Sequence, residues 1–219
     1  SLFQQFREQF RAPDGTTYLL GIDPYAFFRQ TKNLLEHGNI GTEIKAGKVF
    51  DSYYLAPNGR YAYVHFHPYF SAFIYKILSV FGFNLMHAFF YVGALIAALS
   101  IIPAFFIARK ISGNVGGFFA ALLTAVNVFF VSRTAGESSD TDAYNVFFPL
   151  LITWVFIESI YQKDIKKKIG LMALTGFLTG LYSFAWIGWW FVFYLLIAAI
   201  TAQLCLYTIR YVMKGDYKE

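Results

Sequence analysis

Two short acidic stretches carry the residues best suited to chemistry. One is Arg133-Thr134-Ala135-Gly136-Glu137-Ser138-Ser139-Asp140-Thr141-Asp142-Ala143-Tyr144, with three carboxylates in a chain that is only 14% charged. Asp140 and Asp142 are two apart. On a helix such residues face different ways; in an extended segment they point to the same side. An extended loop would aim two hard oxygen donors at one divalent cation, the ligand type Mg²⁺ or Mn²⁺ takes. A second role competes, because Asp142 ahead of Ala143-Tyr144 is also placed to cap a helix.

The other stretch is Gly21-Ile22-Asp23-Pro24-Tyr25. Asp followed by Pro reads as a helix start, with Asp23 at the N-cap and Pro24 at the first helical position. Capping is locally a sufficient role for Asp23. A helix N-terminus carries partial positive charge and opposes a cation. A metal site here therefore needs Asp23, Asp140 or Asp142 and at least one further ligand. Arg133 suits a phosphate or excess negative charge, and equally a snorkelling anchor at the end of a span. His65 and His67 have no third ligand at helical spacing and read as structural.

The elements that must position these residues are mostly apolar. The 219 residues are 57% hydrophobic and 21% aromatic, too apolar for an ordinary soluble domain. Apolar runs of roughly 18 or more residues read as membrane spans. Five are predicted, at 85–108, 112–132, 143–161, 169–185 and 188–209. Gly113, Gly116 and Gly117 suit close helix contact, and Pro103 suits a kink. The uncharged run from Ile169 to Ile209 is twice the needed length and must reverse, with Phe184–Trp190 the expected turn. Residues 1–84 form a separate region: helix-like spacing at Leu2–Phe10, a turn at Pro13-Asp14-Gly15, a helix from Asp23 to Gly38, loop from Gly41 to Gly59 with a tight turn at Asn58-Gly59, then an amphipathic helix interrupted by Lys76 that lies on the membrane. The lone Cys205 sits in an apolar run and reads as packing.

The net charge of +5 reads as topology and excludes nucleic acid as the partner, because the basic residues sit between spans. With five spans, the basic segments 109–110, 163–168 and 210–218 all fall on one side, which is cytoplasmic. Residues 1–84, 133–142 and 184–190 are then external or lumenal. Two acidic helix starts thus share one face, a coincidence that capping does not require.

Asp23-Pro24-Tyr25-Ala26-Phe27-Phe28-Arg29 with Asn33-Leu34-Leu35-Glu36-His37-Gly38 resembles the first external loop of the catalytic subunit of oligosaccharyltransferase. Ser132-Arg133-Thr134 followed by Asp140-Thr141-Asp142 resembles that family's second acidic motif. The resemblance implies an all-α polytopic membrane protein with a GT-C-type transmembrane domain and a large external first loop. It implies transfer of a glycan from a lipid-linked dolichyl or polyprenyl diphosphate donor to Asn of an acceptor polypeptide's Asn-x-Ser/Thr, with Mn²⁺ or Mg²⁺ as cofactor. Asp23 would touch metal and acceptor amide, Asp140 would ligate metal, Asp142 would be a ligand or support one, and Arg133 would lie near these carboxylates or the donor phosphate. Membrane lipids are the remaining partner. The location implied is the cell membrane in a prokaryote or the endoplasmic reticulum in a eukaryote, with the active face external or lumenal.

The family also carries a first span before the Asp-Pro-Tyr loop, a late catalytic Glu and a Trp-Trp-Asp motif. Trp189-Trp190-Phe191 is not that motif. The chain therefore reads as an amino-terminal portion. Two alternatives stand. Another GT-C enzyme, such as a polyprenyl-phosphate-dependent protein mannosyltransferase, also has an acidic first loop. A membrane transporter would place ionisable residues in mid-span, and the five runs hold none there.

Overall fold

The computed structural model describes residues 17–213 together with Arg11, Pro13 and Gly15. The spacing at Leu2–Phe10, Asp14 of the expected turn, and Lys214 and Lys218 lie outside the described residues. Among the described residues are eight α-helices and one small sheet.

Helix α1 spans Ile22–His37. Gly38 stops it with φ 75°, its N–H bonding the Leu34 carbonyl at 3.1 Å, the left-handed stop that glycine adopts without strain. The start differs from the sequence expectation. Gly21, at φ 87°, lets the helix begin at Ile22, and no side chain caps it. Asp23 sits inside the first turn and makes no capping bond.

The 41–59 segment, expected to be loop, contains strands β1 (Glu43–Lys45) and β2 (Lys48–Asp51), and β3 (Arg60–Tyr61) follows it. They pair antiparallel in the order β1-β2-β3, with Ile44 opposite Val49 and Phe50 opposite Tyr61. Strands this short cannot show the alternation that identifies one. A two-pronged ion pair fastens the sheet to α1: Arg29 Nη1 and Nη2 each lie 2.6 Å from a carboxylate oxygen of Asp51, which is 1% exposed.

Helix α2 (Phe66–Leu78) buries His67, Pro68, Ser71 and Ala72 and exposes Tyr69, Phe73 and Ile77. Helix α3 (Leu85–Leu99) is capped by Asn84, whose side chain accepts from the His87 N–H at 2.8 Å. It gives way at Ser100 to α4 (Ile101–Val126). Ser100 keeps helical φ and ψ (−64° and −23°) and the ladder continues through it, with only the bond that Pro103 cannot donate to the Leu99 carbonyl missing.

Helix α4 is interrupted at Gly113, with φ 71° and ψ −169°, a conformation that only glycine holds cheaply. Gly117 beyond it packs on Phe105: a Cβ there would lie 2.9 Å from the Phe105 carbonyl oxygen. Twelve residues along a straight helix would separate the two by about 18 Å. The chain therefore folds back at Gly113, a few residues past Arg109-Lys110.

Helix α5 (Val128–Thr134) leads to the acidic loop. Then come α6 (Tyr144–Tyr161), α7 (Ile165–Ala185) and α8 (Trp190–Met213). Asp164 caps α7 through the Lys166 and Lys167 amides. The α7–α8 reversal occupies Trp186–Trp189, inside the turn expected from sequence. The core lies between α3, α6 and α7, where Ile96, Phe148, Ile152, Leu178 and Tyr182 are buried. Four stretches, Leu85–Val126, Thr141–Tyr161, Ile165–Ala185 and Ile187–Val212, are long and apolar enough to cross a membrane; the first is the one that doubles back. This is an all-α polytopic membrane region carrying a minor sheet.

Candidate functional site

The two acidic stretches meet. The Leu20 N–H donates to the Glu137 carbonyl at 2.6 Å. Asp23 lies three residues beyond the donor and Asp140 three beyond the acceptor, so one backbone bond brings the two acidic stretches side by side. The acidic loop lies flat on α3. Ser139 Oγ donates to the Phe89 carbonyl at 2.6 Å. Gly93 offers bare backbone, and a Cβ on it would sit 3.3 Å from the Ser139 Cα. A Cβ on Gly136 would drive into the Phe90 ring. These glycines allow a close approach that any side chain would push apart.

Inside the loop, the two aspartates do not share the extended run expected from sequence. Asp140 is extended (φ −132°, ψ −172°), but Thr141–Ala143 form a 3₁₀ turn that holds Asp142. The capping role also moves. Asp140, not Asp142, accepts a bond from the Thr141 N–H and caps that turn, and no side chain caps α6. Burial raises the Asp140 carboxyl above its usual range, and the Asp142 and Asp23 charges push it the same way, against the Thr141 N–H, which pulls it down. Asp23 is thus near enough for its charge to be felt at Asp140. Arg133, in the last turn of α5, places Nη1 3.7 Å from Asp142 Oδ2 while staying 78% exposed. Such a pair is loose and leaves most of the guanidinium open.

The donor set suits a hard divalent cation: three carboxylates, with the charge crowding a cation would relieve. Among the described residues, however, no three of His, Cys, Asp and Glu stand close enough to cage a metal alone. Mg²⁺ commonly takes one or two carboxylates and completes its shell with water and substrate phosphate. The chemistry of the set fits the ion, and the cage is not closed by protein.

Beneath the loop lies His67, fully buried, with Nδ1 2.9 Å from Tyr144 Oη. Burial holds it down to about 3, so it is neutral. His65 is also lowered by burial. Neither joins a metal cluster. On the other side of Asp23 a cleft of 630 Å³ is lined by Tyr25, Phe28, Arg29, Lys32, Tyr53 and Tyr54, among others. Sequence reasoning singled out Asp23, Arg133, Asp140 and Asp142, but missed Leu20, Gly93, Gly136 and Ser139. A glycine inside an apolar run was the only signal for Gly93. For Leu20 and Ser139 there was none, because their partners are distant in sequence.

At the far end of the helices, Lys110 Nζ meets Glu158 Oε2 at 2.8 Å. That pair ties α4, just before its reversal, to the end of α6. The acidic loop precedes the start of α6, so the basic reversal and the acidic cluster occupy opposite ends of that helix.

Residues 2–217 match the family model described as oligosaccharyl transferase STT3, N-terminal. The chain is 32% identical over 206 residues to a dolichyl-phosphooligosaccharide-protein glycotransferase of Methanococcus voltae, covering 89% of this chain and 22% of that protein. It is 30% identical over 195 residues to the protein of the same name in Methanocaldococcus jannaschii, covering 77% of this chain and 20% of the other. A Pyrococcus furiosus relative, named dolichyl-phosphooligosaccharide-protein glycotransferase 1, is 29% identical over 53% of the chain and 12% of its own length. The chain spans about a fifth of the length of the first two relatives. With two acidic motifs brought together by the fold and nearly every residue within the match, this chain belongs to the oligosaccharyl transferase STT3 family, as its N-terminal region.

Proposed function

We propose that the protein carrying this region transfers a glycan from a lipid-linked dolichyl or polyprenyl diphosphate to the side-chain nitrogen of Asn in Asn-x-Ser/Thr, on the external or lumenal side of a membrane. The observation that carries this reading is the Leu20–Glu137 bond, which joins the Asp23 and Asp140 stretches at one end of the helices. Names of the relatives in Methanococcus voltae and Methanocaldococcus jannaschii, glycotransferases acting on protein from a dolichyl-phosphooligosaccharide, support it.

The residues divide the work as follows. Asp23 is exposed in the first turn of α1 and accepts an N–H from the acceptor amide, a poor nucleophile that must be oriented before it can attack. Arg133 turns its open guanidinium to the donor phosphates. Asp140 and Asp142, with Asp23, would hold Mn²⁺ or Mg²⁺ together with water and donor phosphate. The bound cation would take up charge developing on the diphosphate leaving group. The GT-C architecture and the sidedness belong to the same proposal.

The rival within glycosyl transfer uses a polyprenyl monophosphate sugar and a Ser or Thr acceptor. Full-length protein in nanodiscs separates the two. We expect turnover of a fluorescent Asn-x-Thr peptide with lipid-linked diphosphate glycan and Mn²⁺, none with the monophosphate donor, and loss of Mn²⁺ dependence and of turnover in Asp140→Asn. Transfer from the monophosphate donor to Thr would overturn the reading.

A further inference from the structure

We propose that His67 is a positioning residue for the acidic loop, bracketing Asp140 and Asp142 from beneath through Tyr144 on one side and, by way of Phe89, through Ser139 on the other. The inference rests on the functional reading of that loop, yet its geometry is independent of it.

His67 comes from α2 and Tyr144 is the first residue of α6. Their hydrogen bond, 2.9 Å from Nδ1 to Oη, bridges 77 residues and both groups are buried. The ring is walled by Phe27 of α1, Phe89 of α3 and Tyr144 of α6, each edge-on with centroids 5.3, 5.2 and 5.6 Å away. Four elements therefore converge on one imidazole. Its other nitrogen, Nε2, is buried and makes no hydrogen bond. Ser139 itself is pinned to the carbonyl of the same Phe89 that walls the ring.

The bracket has a simple consequence in the chain. Ser139 immediately precedes Asp140, and Tyr144 follows Asp142 by two. The residues between them are held at one end by His67 through Tyr144 and at the other by the Phe89 carbonyl, and Phe89 packs on the same imidazole. A buried aromatic side chain in a packed cage has little freedom to shift, so the loop's two carboxylates inherit their placement from α2. A lone core histidine would need neither the 77-residue bond nor an unpaired nitrogen against the loop. An unpaired buried nitrogen is costly in general, and it persists here beside the one loop whose placement matters. The imidazole is sealed from solvent, so it touches no substrate; it acts through the loop.

The test uses the full-length enzyme and four variants: His67→Phe keeps a ring and removes both nitrogens, His67→Asn keeps a group at the Nδ1 position, Tyr144→Phe deletes the partner hydroxyl, and His67→Phe/Tyr144→Phe removes both. Hydrogen exchange is read without metal on peptides covering 136–144, with a peptide from 150–158 as internal reference. Half-saturating Mn²⁺ and peptide turnover are read beside it.

We expect faster exchange in 136–144 for His67→Phe and Tyr144→Phe, with the reference unchanged, and a half-saturating Mn²⁺ raised about tenfold, in the range seen when a supporting partner of a metal ligand is lost. His67→Asn should restore most of both, and the double variant should be no worse than either single one. If His67→Phe fails to fold, Tyr144→Phe carries the test alone. Unchanged exchange in 136–144, with only the melting temperature lowered, would overturn the proposal and leave His67 a packing residue. Loosening of the loop with turnover intact would keep the bracket and overturn the functional reading of the loop instead.

Discussion

The α1–α3 cluster with the acidic loop, and the α7–α8 hairpin, are both helical, yet they are held in different ways. In the first, polar and aromatic groups are buried among the aliphatic ones: Asp51, His67, Ser71, Thr134, Ser139 and Tyr144 are all nearly inaccessible, and each of Asp51, His67, Thr134, Ser139 and Tyr144 makes a hydrogen bond or ion pair. In the second, α8 exposes Phe193, Tyr194, Leu195, Ile200, Leu204 and Tyr207, among others. Gly176 and Gly180 on α7 meet nothing within 4 Å of a Cβ, although both border an apolar cleft of 440 Å³ between α7 and α8. Buried polar atoms must find their partners or cost free energy, so they admit one arrangement. Apolar faces in a bilayer have no such demand. Geometry is fixed where carboxylates must be placed and left loose where the chain only borders lipid.

The sharpest way to break this contrast is Arg29→Ala. It strands Asp51 inside the α1–sheet contact, and losing one partner of a buried ion pair costs about 3–5 kcal/mol. Arg29 is partly exposed, which places the expectation at the lower end. Chemical unfolding of the full-length protein should show that loss; a change below about 1 kcal/mol would mean the polar cluster is not what holds the sheet to α1.

Asp23→Asn comes next. The carboxylate makes no capping bond, so the melting curve should match wild type, while turnover falls by about 100- to 1,000-fold, as when one transition-state contact is removed. Asp23→Glu, which moves the charge by about 1 Å, should lose about 100-fold. Full turnover in Asp23→Asn would remove Asp23 from the site.

A smaller effect separates function from stability at Asp140. Its folded carboxyl is raised above the unfolded value. Ionised Asp140 therefore costs stability above the folded pKa, and that cost disappears as pH falls and the group protonates. Asp140→Asn keeps an oxygen for the Thr141 N–H, so without metal it should melt at or above wild type at pH 7, and the two should converge in acid. Added Mn²⁺ should raise the melting temperature of wild type only. A variant less stable than wild type in chelator at pH 7 would make Asp140 a cap first.

The smallest expected effect is Gly180→Ala on the bare face of α7. With open space around it, stability should stay level or rise by up to about 1 kcal/mol, the helix-propensity gain. A clear loss would show that the full-length protein packs another element against that face, which would turn the loose region into an interface.

Much of the helical order was legible because its signals are local: Gly38 as a stop, Gly117 as a close contact, Trp186–Trp189 as a reversal; Gly113, also read as a contact, is instead the point where the chain folds back. The errors were local too. Asp23 read as a cap because Asp-Pro suggests one, but the positive φ of Gly21 starts the helix two residues earlier. Asp142 read as the cap because the sequence hides the 3₁₀ turn that hands the role to Asp140. The strands escaped notice at three, four and two residues. Acidic residues were visible by type, and their meeting was suggested by charge topology, but the bond that joins them runs between backbone atoms of Leu20 and Glu137, and backbone atoms leave no mark in a sequence.

That bond also sets a schedule. Asp23 precedes Asp140 by 117 residues, and at about 5–20 residues per second of synthesis the wait is roughly 6–25 seconds. During that interval α1 and its sheet can already close, because Arg29 and Asp51 lie only 22 residues apart. The N–H of Leu20 has no Glu137 to meet until α5 has been made. A growing chain therefore carries a finished half-site through the synthesis of α2 to α5, and the acidic centre exists only once the start of α6 arrives.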